Sequence, residues 1–350
     1  MVKQKQRITI DDVAAAAGVS KTTVSRYING QYHLMGEKTR ARVQTVVELL
    51  DYRPSDIARS LKNKKTNLIG VLISDISSPF SSAVILGVGD VLARHRYTPL
   101  FVNCSDDPAQ EEAYVRSLIA KEVDGLIVNT TSADNRFLIG VAAQGFPLVL
   151  CDREVRHYSF DLVSTKNREM MHTLVSHLRQ HGFTRLALFT QSWENNSARY
   201  LRRDGFLAAT GEVYGHPAQE DVYLIHASQP DSAVAQLRQF LSTLRPGEVP
   251  AVVGVNSVTT MRVYRAIRQL GLSMPEEIGL CGPDDWNWDN GMNWPGIVET
   301  PITTATIHAR ELGEWSARLL LARIANPDLP PQKQQLGTRL SVRASTLRIV

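Results

Sequence analysis

Apolar residues follow two different periodicities in the two parts of the chain. Up to residue 66 they recur at three- and four-residue spacing within short segments, which predicts small amphipathic helices. From Asn67 onward, short and almost continuously apolar runs alternate with helical stretches, as buried parallel strands and their connecting helices do. The pattern therefore predicts a small helical head followed by a larger α/β body. The apolar head positions are Val13, Ala14, Ala17, Val43, Val46, Val47 and Leu50.

The head contains two helix starts separated by a single glycine turn. Thr9 can cap a first helix that carries acidic residues in its first turn, where they complement the helix dipole. Gly18 supplies a turn, and Ser20 can cap a second helix over residues 21–28. In that second helix Val24 is expected to face inward while polar side chains face outward. Helix, glycine turn and capped polar helix is the helix-turn-helix pattern.

The body shows repeated strand-helix alternation in two series, which predicts two doubly wound α/β subdomains. The second series is expected to begin after Asp161. The predicted strands are NLIGVLIS, TPLFVNCS, DGLIVNT, FPLVLCD, RLALFT, DVYLIH, AVVGVN and EIGLCG, and the helices lie at about 81–95, 109–122, 167–181, 198–211, 231–244 and 258–271.

The charge distribution separates the head from the body. Residues 1–66 hold 13 Lys and Arg against 6 Asp and Glu, a net charge of +7, while the whole chain has only +4. A basic head on a slightly acidic body is typical of a protein that contacts a polyanion at one end. The three cysteines are widely spaced and predict reduced, buried thiols. Neither a signal peptide nor a transmembrane run is evident, so a cytoplasmic protein without membrane contact is expected.

The run DVAAAAGVSKTTVSRYING resembles the signature of the LacI family of bacterial transcription regulators, and the similarity continues along the whole chain. This resemblance implies a homodimer on double-stranded DNA, with one recognition helix for each half of a near-palindromic operator. It implies that Lys21, Thr22 and Arg26 contact base edges and that Thr23 and Ser25 contact phosphates. Arg and Lys suit guanine acceptors and hydroxyls suit phosphate oxygens, which agrees with those roles.

Residues 53–66 match the hinge helix of the family, which orders when two copies meet on the operator. Leu61 matches the leucine that wedges into the minor groove, and Ala58 matches the small residue at the hinge contact. Ser55 stands where the family usually has Asn. The simpler interpretation of this segment is a flexible linker.

The resemblance also implies a periplasmic-binding-protein-like core in which the chain crosses between two subdomains three times. The expected division is a DNA-binding domain at 1–52, the hinge at 53–66 and an effector-binding and dimerisation core at 67–350. Within the core, one subdomain is expected at about 67–162 and 300–326, and the other at about 163–295 and 327–350. The crossings are expected near Leu162, near Pro295–Thr304 and near Ala325–Pro331.

The effector is expected in the cleft between the subdomains, at the carboxyl ends of the strands. Each polar candidate there could instead be an ordinary structural group at a strand end, and the tryptophan could be core or dimer packing. Ser78 and Ser257 replace the Asn and Asp that are common in the family. The residues that match effector-binding positions of the family are Phe80, Asp152, Arg153, Arg202, Asn256 and Asp284, and Trp286 is a further candidate.

Arg153 and Arg202 favour an anionic effector, because guanidinium groups bind carboxylates and phosphates in bidentate geometry. The segments YHLMGEKT and PGI, with Asp285 and Trp286, resemble the branch of the family that senses ketodeoxygluconate and related sugar acids. A neutral sugar, a phosphorylated sugar or a nucleobase stays open as the effector. Release from the operator on effector binding is expected, although co-repression is the alternative.

The rival class is an α/β solute-binding or sugar-processing protein without specific DNA binding. GVGDVL lacks the third glycine of a dinucleotide fingerprint, and the sequence contains no P-loop. His172 and His177 are five residues apart, which is not zinc spacing. No enzyme activity, cofactor or metal is therefore expected. No long heptad pattern occurs near Val350, which favours a dimer over a tetramer.

Overall fold

The computed structural model describes residues 8–52, 65–226, 228–283 and 293–348. The chain divides into two compact units, Met1–Thr66 and Asn67–Val350. The first unit contains the helices α1 (Ile10–Ala17), α2 (Lys21–Ile28) and α3 (Glu37–Leu49).

Local sequence signals set the boundaries of the head helices. The Thr9 hydroxyl accepts from the Asp12 amide at 3.3 Å, and the Thr9 amide donates back to the Asp12 carboxylate at 2.7 Å, which forms a capping box. Gly18 ends α1 in the left-handed conformation at φ 60°. Val13 and Val24 are fully buried in one small core, against which Val46 and Val47 of α3 pack, and Val43 of α3 is also fully buried.

The second unit contains two parallel-stranded sheets covered by helices. Its strands are β1 (Leu68–Ile73), β2 (Thr98–Asn103), β3 (Gly125–Val128), β4 (Leu148–Cys151), β5 (Asp161–Thr165), β6 (Arg185–Thr190), β7 (Val222–Leu224), β8 (Pro250–Gly254), β9 (Gly279–Pro283), β10 (Thr303–Thr306), β11 (Lys333–Leu336) and β12 (Arg339–Ser341). Its helices are α4 (Pro79–Arg94), α5 (Pro108–Ala120), α6 (Arg136–Ala143), α7 (Asn167–Gln180), α8 (Ser197–Tyr214), α9 (Ser232–Ser242), α10 (Ser257–Gln269), α11 (Trp294–Ile297) and α12 (Ala309–Ala325).

The strand orders confirm the predicted pair of α/β subdomains. Among the described residues the first sheet has the order β11-β5-β4-β3-β1-β2, and the second has β12-β10-β9-β8-β6-β7. Within each sheet the strands run parallel, except that β12 is antiparallel to β10. The apolar character of the central strands follows from burial on both faces, since β3, β4, β8 and β9 are buried along their whole length.

The three crossings between the sheets come later in the chain than the sequence predicts. β5 stays in the first sheet because Leu162 and Val163 pair with β4, so the first crossing follows Thr165, just beyond the predicted position near Leu162. β10 pairs with β9, so the second crossing follows Thr306 and not the segment 295–304. β11 pairs with β5, which moves the third crossing beyond Leu336 and away from the segment 325–331. Strand pairing, which local sequence does not reveal, fixes these boundaries.

The two histidines whose spacing does not suit zinc, His172 and His177, differ in their surroundings. His177 is buried, and its Nε2 lies 2.8 Å from the hydroxyl of Thr346 near the end of the chain. Burial, with the neighbouring His181, lowers the pKa of His177 to about 4, so the ring is neutral near pH 7. His172 is half-exposed and lies 3.3 Å from Glu212.

Two glycines allow α4 and α12 to pack in direct backbone contact. A Cβ atom at Gly87 would overlap the carbonyl oxygen of Arg310, and one at Gly313 would overlap the carbonyl oxygen of Val84. Gly89 lies two residues further along α4, where a Cβ would meet no described atom within 4 Å. Only the first two positions therefore require glycine for packing.

Gly87→Ala is expected to lower the free energy of unfolding by about 1–3 kcal/mol, because backbone atoms cannot yield to the added methyl group. Gly89→Ala is the matched control and should stabilise the chain by up to about 1 kcal/mol through helix propensity. Urea denaturation of both full-length variants measures the difference. Equal midpoints for the two variants would contradict the proposed close packing.

Candidate functional site: an exposed recognition helix and an arginine-lined cleft

Helix α2 presents polar side chains on the surface of the head unit. Lys21, Thr22 and Arg26 are exposed, while Thr23 and Ser25 are partly buried. Val24, on the opposite face, is fully buried and anchors the helix to the head core. The helix therefore offers a rigid base for three exposed side chains that can donate hydrogen bonds.

Two local contacts organise the start of α2. The hydroxyl of Ser20 accepts from the Thr23 amide at 3.2 Å, as an N-cap does. The ammonium group of Lys21 lies 2.6 Å from the Asp11 carboxylate on α1. Both side chains of that pair are more than half exposed, so the ion pair is weak and Lys21 can exchange Asp11 for another acceptor.

The predicted hinge contacts fall on residues that are not described. Ala58 and Leu61, and the departure from the family at Ser55, lie outside the described ranges 8–52 and 65–226. Their roles at a minor groove therefore stay predictions from the resemblance.

A cavity of about 340 Å³ lies between the two sheets of the second unit, where the carboxyl ends of the strands meet. The structure brings Phe80, Asp152, Arg153, Arg202 and Asn256 together in its wall. Asp284 and Trp286 fall within 284–292 and lie outside the described residues. The charged side chains of the described wall are Arg153, Arg199, Arg202, Arg262, Asp75, Asp106 and Asp152.

Arg153 follows β4 and enters the cavity from the first subdomain. Its Nη1 donates to Asp106 Oδ1 and to the carbonyl oxygen of Thr130, both at 3.0 Å. The Thr130 loop is itself fixed, because the hydroxyl of Thr130 donates to the buried carboxylate of Glu111 at 3.0 Å. Burial raises the pKa of Glu111, against the effect of its hydrogen bonds from Thr131, Thr130 and Asn135.

Arg202 enters from the second subdomain on α8. Its Nε donates to Asn167 at 2.8 Å, and its Nη1 donates to the carbonyl oxygen of Val255 at 2.9 Å. The side chain is 5% exposed, so these two bonds fix its guanidinium plane at the cavity wall. Asn256 caps α10 by accepting from the Thr259 amide at 2.8 Å and donates to Gln191 at 3.1 Å. It therefore shapes the wall through its neighbours.

Sequence reasoning missed Arg199, which precedes Arg202 by three residues and so lies on the same face of α8. That helical spacing is the signal that could have found it. Burial, and then the positive charge of Arg153, lower the pKa of Arg199 to about 10. Four guanidinium groups therefore line one cavity, that of Arg153 from the first subdomain and those of Arg199, Arg202 and Arg262 from the second.

Asn129 and Asp106 are further wall residues that the sequence did not indicate. Asn129 follows β3, accepts from Ser74 at 2.5 Å and donates to the carbonyl oxygen of Cys151 at 2.9 Å. Asp106 lies in the loop between β2 and α5. Both residues come after predicted strands. Only the order of the strands in the sheet shows that these strand ends lie beside the same cavity.

Three tryptophans, Trp286, Trp288 and Trp294, lie close together in the sequence after β9. Trp288, like Trp286, lies within 284–292, whereas Trp294 is buried at the start of α11. It packs with the apolar core of the second subdomain, which includes Ile302 and Leu280. Trp294 is therefore a core residue.

The described residues contain neither a metal-binding cluster nor a helix that could cross a membrane. Within the ranges 8–52, 65–226, 228–283 and 293–348, no group of three or more His, Cys, Asp or Glu side chains could hold a metal ion. None of the helices in these ranges has the length and apolar character needed to cross a membrane.

Comparison with known proteins agrees with both units. Residues 9–55 match the bacterial regulatory proteins of the lacI family, and residues 175–346 match a periplasmic-binding-protein-like domain. The HTH-type transcriptional regulator PtxS of Pseudomonas aeruginosa is 34% identical over 99% of this chain and 98% of its own length. KdgR of Bacillus subtilis is 31% identical over 96% of this chain and 97% of its own.

A solved structure shows the same architecture. The lac repressor dimer bound to operator and the anti-inducer ONPF superposes with a TM-score of 0.84 at 26% identity. The match covers 98% of this chain and 100% of that one. The similarity therefore extends over the head and the body.

Ser20→Ala is expected to destabilise α2 by about 1 kcal/mol, because the Thr23 amide loses its capping acceptor. Amide hydrogen exchange of residues 21–28 in the full-length protein measures the change. Thr22→Ala, at an exposed position in the same helix, is the control and should leave exchange almost unchanged. Equal protection in wild type and Ser20→Ala would show that the Ser20 cap does not stabilise α2.

Proposed function

The chain belongs to the LacI family of bacterial transcription regulators, and we propose that it is a homodimeric, cytoplasmic repressor that a sugar acid releases from its operator. Its curated relatives are DNA-binding regulators and not enzymes. The observation that carries the proposed effector class is the convergence of Arg153, Arg199 and Arg202 on one cavity.

In this proposal α2 enters the major groove of each operator half-site. Lys21, Thr22 and Arg26 are exposed on it and contact base edges, while Thr23 and Ser25 contact phosphates. Lys21 leaves Asp11 to do so, which costs little because the ion pair is solvent-exposed. Ala58 and Leu61 complete the interface in the minor groove, as the family resemblance implies.

An anionic effector relieves an electrostatic cost that is present in the cavity. Arg199 keeps its charge near pH 7, although burial and the charge of Arg153 oppose it. A carboxylate placed between these groups offsets that repulsion and accepts hydrogen bonds from guanidinium groups, which suit planar carboxylates. A neutral sugar would leave the repulsion in place. The arrangement therefore favours an acid, such as one of the ketogluconate type.

The size and remaining lining of the cavity suit a small polyhydroxylated molecule. A volume of about 340 Å³ is at the lower end of ligand pockets, which fits one monosaccharide-sized acid. Asp152, Asn129 and Ser74 line the cavity near the arginines and offer acceptors and donors for hydroxyl groups. Phe80 offers an apolar face. Asp284 and Trp286 are proposed to contribute from the loop after β9.

Effector binding can be coupled to the head because the arginines come from both subdomains. Arg153 follows a strand of the first sheet, while Arg199 and Arg202 lie on a helix of the second. A ligand that bridges them binds one relative arrangement of the subdomains better than another. Such differential binding typically gives a coupling of about 1–3 kcal/mol, here proposed to separate the paired hinges and weaken operator binding.

Arg26→Ala is expected to reduce affinity for the operator by about 1–3 kcal/mol and to relax discrimination at one base pair. Lys38→Ala, at an exposed position on α3, is the control and should weaken binding to all sequences equally through a lost phosphate contact. Binding to operator and to scrambled DNA across salt concentrations separates the two effects. An equal loss on both DNAs for Arg26→Ala would refute base contact.

Arg199→Gln is expected to weaken binding of 2-ketogluconate at least about tenfold, because it removes a charge that the carboxylate would meet. Operator affinity without ligand should be unchanged. Arg168→Gln removes an exposed guanidinium that pairs with Asp204, and serves as the control. Isothermal titration calorimetry measures ligand affinity. Wild-type affinity for the acid in Arg199→Gln would exclude an anion site at this residue.

A further inference from the structure

Asp106 is held in an unusual backbone conformation at the edge of the cavity. Ser105 and Asp106 are both left-handed, with φ of 52° and 53°. The Asp106 amide donates to the carbonyl oxygen of Ser74 at 2.6 Å, and Asp107 next to it caps α5 by accepting from the Ala109 amide at 2.8 Å. Such conformations cost free energy and persist where the surroundings enforce them. The backbone at Asp106 is therefore fixed from both sides, and this sets where its side chain starts.

The Asp106 carboxylate is already engaged with the cations of the cavity. Its Oδ1 accepts from Arg153 Nη1 at 3.0 Å. The Arg153 side chain is 11% exposed, whereas that of Asp106 is 46% exposed and lines the cavity. Asp106 also acts on Arg199, since its negative charge raises the pKa of Arg199 against the effects of burial and Arg153. One carboxylate thus interacts with cations from both subdomains.

We propose that Asp106 is a built-in counter-ion that competes with the carboxylate of the effector for Arg153 and Arg199, and so sets the affinity and charge selectivity of the cleft. This inference rests on the proposed function, because it assumes that the effector binds in this cavity. An arriving acid must displace Asp106 from Arg153 or bind beside its negative charge. Either event makes the binding free energy of the acid less favourable, whereas a neutral ligand binds without this cost.

Neutralising a counter-ion and neutralising an ordinary binding residue are expected to change the affinity for the acid in opposite directions. If Asp106 contacted effector hydroxyls or only oriented Arg153, its neutralisation would weaken acid binding. Neutralising a competing counter-ion would strengthen acid binding instead, because Arg153 and Arg199 keep their charge while losing one of the carboxylates that offset it. Neutral sugars should gain nothing from the same substitution.

The test uses full-length Asp106→Asn, since Asn tolerates the left-handed backbone as Asp does and keeps the side-chain shape. Calorimetric titration with 2-ketogluconate, and with glucose as the neutral probe, compares it with wild type. Affinity for the acid is expected to rise about tenfold, and affinity for glucose to stay unchanged. Glu112→Gln removes one negative charge from α5 where it pairs with Arg116, away from the cavity wall, and should not change either affinity.

A second variant tests whether the gain acts through Arg153. In an Arg153→Gln background, Asp106→Asn should raise acid affinity by clearly less than it does in wild type, because the main partner of the counter-ion is gone. If the two substitutions changed acid affinity additively, Asp106 would not act through Arg153.

The outcomes separate the counter-ion role from the proposed function. If wild type binds the acid and Asp106→Asn binds it equally or more weakly, the counter-ion role is wrong and the anionic effector stands. If neither protein binds the acid, the sugar-acid function fails and the counter-ion role fails with it. A gain that Glu112→Gln reproduces would show a general charge effect and would also overturn the inference.

Discussion

Four guanidinium groups and three carboxylates share the wall of one small cavity, and the contacts around that wall hold these charges in place. Arg153 is held by Thr130 and Asp106, and Arg202 by Asn167 and the carbonyl oxygen of Val255. Burial and the charge of Arg153 act against the charged form of Arg199. Charges taken out of water need partners, so the protein keeps carboxylates and carbonyl oxygens beside them. The remaining excess of positive charge is the basis of the proposed anionic effector.

Parallel sheet topology makes this convergence possible. Residues after β3 and β4, and the caps of helices that follow β6 and β8, all lie at the carboxyl ends of strands. Because the two sheets meet at that end, side chains that are far apart in sequence come into one cleft. The chain crosses between the sheets at three places, so the cleft is also where a ligand can act on the relation between the subdomains. Close packing of α4 on α12 through Gly87 and Gly313 keeps the first subdomain rigid.

Local sequence signals predicted much of the fold. The Thr9 capping box, the Gly18 turn and the Ser20 cap each act within a few residues, so the head helices could be predicted from sequence. The apolar central strands could also be predicted. Strand β5 could not, because its buried Asp161 depends on an ion pair at 2.8 Å with Arg323 of α12. The short threonine-rich β10 and the edge strands β11 and β12 are defined by pairing and lack an apolar signature.

The site was predictable to a similar degree. Five residues proposed from the family resemblance line the cavity, while Asp284, Trp286, Ala58 and Leu61 fall outside the described residues. Arg199 could have been predicted from its helical spacing from Arg202. Asp106 was not, since its partner Arg153 is 47 residues away and only the sheet order joins them.

An acid in the arginine-lined cleft is proposed to weaken operator binding by the head. Operator affinity of the full-length protein should be measured by fluorescence anisotropy while 2-ketogluconate or glucose is added at equal ionic strength. The account predicts that the acid weakens operator binding by about 5–150-fold and that glucose has no effect. Unchanged operator affinity at concentrations of the acid that saturate the cleft, or an equal effect of glucose, would contradict it.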